Sequence, residues 1–240
     1  MTNLQNALAS SKASLPTLPD LMQLQKALAS ELERRKSRDR IKHFSPYPRQ
    51  LEFYAAGAKH RERLLMAANQ VGKTYGGSVE AALHLTGRYP DWWPGRRYDR
   101  PIKMWAGSDT TETTRDTVQT NLIGPPADEE QWGTGAIPAD AILSTDRRQG
   151  VANALDTVLV RHVSGGVSSL GFKSYDQGRQ KWQGAVRDVI WLDEEPPMGI
   201  YTEALTRTNT VEDGMIFLTF TPLLGMSDVV HLFLESEDHS

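Results

Sequence analysis

Leu64-Leu65-Met66-Ala67-Ala68-Asn69-Gln70-Val71-Gly72-Lys73-Thr74 decides the fold: an apolar run enters a tight turn that closes on Gly-Lys-Thr and leads into a helical pattern. In a phosphate-binding loop of this kind, successive backbone N–H groups turn inward onto the phosphates. The lysine ammonium reaches the β and γ phosphates, and the hydroxyl ligates Mg²⁺. Asn69, Gln70, Val71 and Gly72 would form the cradle, with Lys73 and Thr74 in the other two roles. The usual pattern opens with a glycine five residues before the second one, and Ala67 stands there.

Working outward, strand-like and helical runs alternate from about residue 63, which argues for an α/β fold with a mostly parallel sheet flanked by helices. Strands are expected over 64–67, 102–106, 158–163, 167–172, 189–192 and 215–220, and helices over 74–86, 110–122 and 199–207. Ser164-Gly165-Gly166 predicts a hairpin turn between the third and fourth strands. The first forty residues read differently. Pro16 and Pro19 precede a cap at Asp20, and Leu21, Leu24, Leu28 and Leu32 recur at helical spacing before a basic end. The expected organisation is an N-terminal helical arm over 1–42 and a nucleotide-binding domain over 43–240. The leucine stripe would pack on that domain or serve as a docking arm.

The chain has no cysteine, so disulfides and thiolate metal sites are excluded. It shows no apolar run long enough to span a bilayer and no secretory leader, so a soluble, cytoplasmic protein is expected. With 27 basic and 30 acidic residues the formal net charge is −3, and any contact with nucleic acid has to come from a local patch.

A second motif stands at Val189-Ile190-Trp191-Leu192-Asp193-Glu194-Glu195, an apolar strand that delivers acids at its carboxyl end, where ligands of open α/β sheets bind. This is the form of a Walker B strand. Asp193 would hold Mg²⁺ and Glu194 would act as general base toward the attacking water, with Glu195 able to exchange roles with it. The two motifs, in this order and each on a strand, point to a nucleoside triphosphatase. Upstream, the Gln50 amide could pair with the donor and acceptor edge of adenine, or Pro46-Tyr47-Pro48 is simply an extended linker into a helix. Downstream, Leu218-Thr219-Phe220-Thr221-Pro222 ends a further strand with two hydroxyls that could sense the γ-phosphate and transmit its loss, or that are ordinary strand threonines.

Pro46-Tyr47-Pro48-Arg49-Gln50, Asn69 to Thr74, Trp191 to Pro196 and Thr219-Phe220-Thr221-Pro222 together resemble the motif series of the large terminase subunit of tailed double-stranded DNA bacteriophages. His84 to Trp93 also resembles a branch of that family. The resemblance spans most of residues 44–230. It implies a P-loop NTPase of the RecA-like, additional-strand catalytic-glutamate type that hydrolyses ATP with Mg²⁺. The implied work is to drive double-stranded viral DNA into a procapsid, in the cytoplasm of a bacterial host. Implied partners are the portal protein, the small terminase subunit and further copies in a homo-oligomeric ring, without a membrane. By resemblance Gln50 belongs to the adenine motif, Lys73 and Thr74 to Walker A, Asp193 and Glu194 to Walker B, and Thr219 and Thr221 to the coupling motif.

Two departures stand out. Several family members carry an arginine in the loop where this chain has Asn69, which suggests an arginine supplied by a neighbouring subunit; Arg147, Arg148, Arg179 and Arg207 are candidates. The family's carboxyl-terminal nuclease has no counterpart after Pro222, so a fragment without nuclease activity is expected.

Arg88, Arg96, Arg97, Arg100 and Lys103 interleave with Tyr89, Trp92, Trp93 and Tyr98. This stretch reads as a DNA surface of basic groups and stacking rings, or as a structural loop whose tryptophans cover a core edge. A superfamily 2 helicase would need Asp or His two positions after Glu194, where Pro196 stands. A scaffold without turnover would not need Lys73, Asp193 and Glu194, and a GTPase would carry an Asn-Lys-x-Asp motif that is missing.

Overall fold

The computed structural model describes residues 17–68, 70–223 and 225–235, and the chain divides into two units after Ser37. In the first unit, α1 spans Leu18–Ser37. Its start is set by Thr17 and not by Asp20 alone. The Thr17 N–H and hydroxyl both donate to Asp20 Oδ2, at 2.8 and 2.6 Å, and the Asp20 N–H reaches back to the Thr17 hydroxyl. This is a reciprocal cap of the capping-box kind. Leu21, Leu24, Leu28 and Leu32 are all exposed, and no residue of α1 is buried.

In the second unit a short turn of helix, α2 (Arg40–His43), leads to α3 (Pro48–Ala56), β1 (Glu62–Met66) and α4 (Lys73–Thr86). Then come β2 (Lys103–Ser108), a helical stretch α5 over 111–122 with a π-helical middle, and β3 (Ile142–Arg147). The chain continues through β4 (Leu155–Arg161), β5 (Val167–Ser174), β6 (Val189–Asp193), α6 (Met198–Thr208), β7 (Met215–Phe220) and α7 (Asp228–Glu235).

The seven strands form one sheet in the order β1-β7-β6-β2-β5-β4-β3. The first five are mutually parallel, and β4 and β3 are added antiparallel. Parallel strands covered on both faces are apolar throughout, which is why β6 and β7 read as unbroken runs and are buried at every position. β6 sends Val189 and Trp191 into the core under α4, and Ile190 and Leu192 into the core under α6. The predicted Ser164-Gly165-Gly166 turn closes β4 onto β5, with Gly165 at φ +90°. β3 was not expected. Its Ile-Leu-Ser-Thr-Asp-Arg sequence lies on the sheet edge with four of six residues exposed and carries no alternation to read.

α4 is nearly all buried, so it has to approach the sheet closely. A Cβ on Gly77 would lie 2.7 Å from the Trp191 ring, and one on Gly76 would lie 2.8 Å from Gln50 Nε2. The pair of glycines sets how near the loop-bearing helix sits to β6. One turn further on, Glu80 receives Arg63 from β1 at 2.5 Å and contacts His84 at 3.2 Å, all three side chains being at most 3 % exposed. Burial pushes the Glu80 carboxyl up, but Arg63 and His84 more than offset it, and the group stays below its ordinary range. Burial lowers the His84 pKa. Removing one member of a buried pair strands the other charge, at a cost of about 3–5 kcal/mol, whereas replacing both with apolar residues is often neutral. Glu80→Ala is therefore expected to lose about that much in urea unfolding, and Arg63→Met/Glu80→Leu less than half of it; equal losses would contradict this account.

Candidate active site

The carboxyl ends of β1, β6 and β7 meet the amino end of α4. Gly72, at φ +83°, is the N-cap of α4, and Gln70 ahead of it is also left-handed, at φ +62°. Both Gln70 and Val71 are exposed, and Asn69 lies outside the described residues. Ala67 does not adopt a positive φ. Its N–H donates to Phe220 O, so this loop opens without the backbone freedom of a glycine.

Lys73 is 8 % exposed, and its ammonium donates to Ala68 O at 2.6 Å and to Thr221 Oγ1 at 2.8 Å. Thr221 Oγ1 in turn donates to Ala67 O at 3.0 Å. Burial lowers the Lys73 pKa, while Glu194 and Asp193 pull it back up. Thr74 Oγ1 lies 3.0 Å from Asp193 Oδ1, and Thr219 Oγ1 donates to the same oxygen at 2.7 Å. Thr219 is itself fixed by the Trp191 indole N–H at 2.7 Å. Burial pushes Asp193 up to about 7, against the hydroxyls of Thr219 and Thr74, which favour its charged form.

Glu194 stands at φ +66°, an uncommon conformation for a non-glycine residue. Its backbone N–H donates to Thr219 O at 3.0 Å. On the other side the buried Tyr175 hydroxyl approaches Asp193 O at 2.9 Å and Glu194 O at 3.1 Å. Burial and then Asp109 raise the Glu194 pKa, and Lys73 lowers it. Of the two adjacent glutamates, Glu194 shares the field of Lys73, whereas Glu195 acts on Asp109 and leaves one buried oxygen unpartnered. Tyr175 and Asp109 were not singled out in the sequence. They follow β5 and β2 in stretches without a motif, and only the strand order brings them beside β6.

Gln50 is buried. Its Oε1 accepts from Tyr47 N at 2.9 Å, and its Nε2 donates to Gly72 O at 3.1 Å, so the amide caps α3 and grips the loop. The four candidate arginines are all engaged within the chain. Arg148 binds Asp156 and Phe172 O, and Arg207 binds Glu203 and Gly184 O; both are mostly covered. Arg147 with Glu129, and Arg179 with Glu203, remain more than half exposed. In the basic, aromatic stretch the rings cover a core edge as the structural-loop reading expects, but two of the arginines are paired and not simply solvated. Trp93 and Tyr98 are buried, Arg100 pairs with Asp188 and Asp213, and Arg88 pairs with Asp140.

Among the described residues no group of three His, Cys, Asp or Glu is placed to hold a metal by itself. A hydroxyl and a carboxylate 3.0 Å apart suit Mg²⁺, which completes its shell with water and phosphate oxygens.

A mostly parallel sheet, a Gly-Lys-Thr loop opening a buried helix and an acidic end on the next strand but one define a P-loop NTPase fold. Residues 64–238 match the family described as terminase large subunit, T4likevirus-type, N-terminal, and the chain belongs to that family. It is 41 % identical over 230 residues to the terminase large subunit of Salmonella phage P22, covering 89 % of this chain and 46 % of that protein. The chain thus spans about half the length of the curated relatives it matches. Among solved structures it is similar to a variant of the large terminase ATPase domain of Thermus phage P74-26 (TM-score 0.56, 20 % identity, covering 81 % of this chain and 72 % of that one). It is also similar to the large terminase of another thermophilic bacteriophage in complex with ADP (TM-score 0.50, 12 % identity, covering 79 % and 50 %).

The Asp193 environment has a pH signature. Its folded pKa is raised, so the stability present below its ordinary 3.8 is lost as pH rises through about 7. Asp193→Asn escapes that loss. In urea unfolding without Mg²⁺ or nucleotide, the variant should gain on wild type between about pH 4 and about pH 8 by up to about 4 kcal/mol. A difference that does not change with pH would refute the buried-carboxylate assignment.

Proposed function

We propose that this chain is the ATP-hydrolysing part of a terminase large subunit that powers movement of double-stranded viral DNA into a procapsid. The observation that carries the reading is the meeting, at one end of the sheet, of two hydrogen-bonded sets: Lys73 with Thr221 just past β7, and Thr74 and Thr219 with Asp193 at the end of β6. The ADP complex of the thermophilic bacteriophage terminase supports nucleotide binding on this fold.

Triphosphate oxygens would lie at the amino end of α4, where free N–H groups and the helix dipole favour anions. Lys73 would exchange Ala68 O and Thr221 for phosphate, and Thr74 and Asp193 would hold Mg²⁺, whose charge would offset that of the transferring group. Glu194 takes the proton of the attacking water. Gln50 contacts adenine with whatever donor and acceptor capacity its two bonds leave free, and Asn69, Gln70, Val71 and Gly72 wrap the phosphates. Thr221 on Lys73 and Thr219 on Asp193 couple both ends of the site to β7.

An arginine from a neighbouring subunit of a homo-oligomeric ring completes the site, and exposure favours Arg147 and Arg179 over Arg148 and Arg207. The portal protein, the small terminase subunit and viral DNA are the proposed partners, and the host cytoplasm the proposed location. Among the described residues no helix is long and apolar enough to cross a membrane.

Glu194→Ala should cut ATP turnover by about 10²–10⁴-fold while leaving nucleotide binding within about twofold; turnover that survives the change would sink the general-base role. Tyr175→Phe should lower kcat by roughly tenfold without moving nucleotide affinity, because it frees the backbone carbonyls of Asp193 and Glu194 and not the phosphate cradle. The same loss in a Glu194→Gln background would show that Tyr175 does not act through Glu194. ATPase activity per subunit should rise with protein concentration, and a rate independent of concentration would exclude the arginine in trans.

A further inference from the structure

On the sheet face under α6, the helix packs on β6 and β7, and beside it β2, β5 and β4 leave a hollow of about 140 Å³. Trp105, Gly171 and Thr157 sit in one row across the three strands. A Cβ on Gly171 would lie 2.8 Å from the Trp105 ring, so the indole rests directly on the strand. Over that ring stand two cations: Lys173 Nζ at 4.7 Å from its centre and the Arg187 guanidinium carbon at 4.2 Å.

A ring holds cations by its quadrupole without neutralising them. The acid in the hollow, Asp156, is engaged by Arg148 at 2.8 Å. Among the described residues Lys173 and Arg187 form no ion pair, and neither the Lys173 ammonium nor the Trp105 indole N–H has a hydrogen-bond partner; Arg187 donates to Val186 O. Burial lowers the Lys173 pKa, Arg148, Arg187 and Lys181 lower it further, and Asp156 opposes them. Like charges are thus gathered on a concave, half-buried surface with hydroxyls at Thr157 and Ser169; Asp156 and Asp188 act on them at a distance, and both of these acids are engaged by other arginines.

We propose that this hollow is a phosphoanion site, in which Lys173, Arg187 and the Trp105 N–H converge on one phosphate group. None of these residues belongs to the nucleotide constellation. The phosphate comes either from the backbone of duplex DNA or from a free phosphoanion, and the chemistry of capture is the same: charge-assisted donors around tetrahedral oxygens.

The test uses the full chain carrying Lys73→Ala, so that the loop does not contribute. Calorimetry with pyrophosphate and filter binding of a random-sequence duplex are compared for that parent, for added Lys173→Gln/Arg187→Gln, and for Lys59→Gln as an exposed control. The glutamines keep stems over Trp105, and unchanged circular dichroism confirms the fold. We expect the double change to weaken pyrophosphate binding at least tenfold, or to weaken DNA binding and reduce its salt slope by about two, with Lys59→Gln near the parent. Loss with pyrophosphate identifies a free phosphoanion as sufficient; loss with DNA alone identifies the backbone as the source. Retention of both ligands by the double variant, or equal loss in Lys59→Gln, overturns the site. The DNA arm rests on the packaging reading, whereas the pyrophosphate arm is independent of ATP turnover. If turnover survives Glu194→Ala, it is the catalytic assignment that fails and not this site.

Discussion

Burial of the Asp193 carboxyl is the constraint around which the rest of the site is arranged. A carboxylate in the middle of a parallel sheet loses its hydration, and hydroxyls or a metal have to replace it. Here Thr74 from α4 and Thr219 from β7 converge on it, and Trp191, two positions before Asp193 on the same face of β6, orients Thr219. The bonds tie three elements at one point. Burial, offset in part by these bonds, leaves the carboxyl poised between charged and neutral states near pH 7.

The close fit of α4 follows from the same need. For Thr74 to reach Asp193, the first turn of α4 has to approach the end of β6, and Gly76 and Gly77 remove the side chains that would hold it off. The Arg63–Glu80–His84 cluster then fixes the next turns of the helix to β1. Loop, helix and acidic strand end are thus placed by packing, the preorganisation that the proposed phosphoryl transfer would depend on.

Much of this was legible in the sequence, because central parallel strands announce themselves as apolar runs and the loop and acidic end have few other uses. Six strands and three helices were located with shifts of a few residues at their ends, and Lys73, Thr74, Asp193 and Glu194 were named from spacing alone. The edge strand β3 escaped because an exposed strand needs no apolar face. Tyr175 and Asp109 escaped because their roles depend on which strands are neighbours, and that order is not written locally. The basic, aromatic stretch after α4 looked like a surface in one dimension. In three, Trp93 and Tyr98 are core, and Arg88 and Arg100 are held by acids more than forty residues away. Conversely, the cationic hollow at Trp105 draws on residues spread over β2, β5 and the approach to β6, and no linear motif marks it.

The bond between Lys73 and Thr221 carries a thermodynamic obligation. On the proposed function, whatever phosphate would gain from the ammonium must exceed what Thr221 and Ala68 O give up, so nucleotide binding and the hold of Lys73 on the chain after β7 would be linked. Linkage makes the relation reciprocal. If nucleotide occupies the proposed site, a mechanical load that draws the chain after Phe220 away from the loop would tighten or loosen it by the same factor by which nucleotide shifts that chain. On that reading load and nucleotide would meet at Thr221, which accepts from Lys73 and donates to Ala67 O.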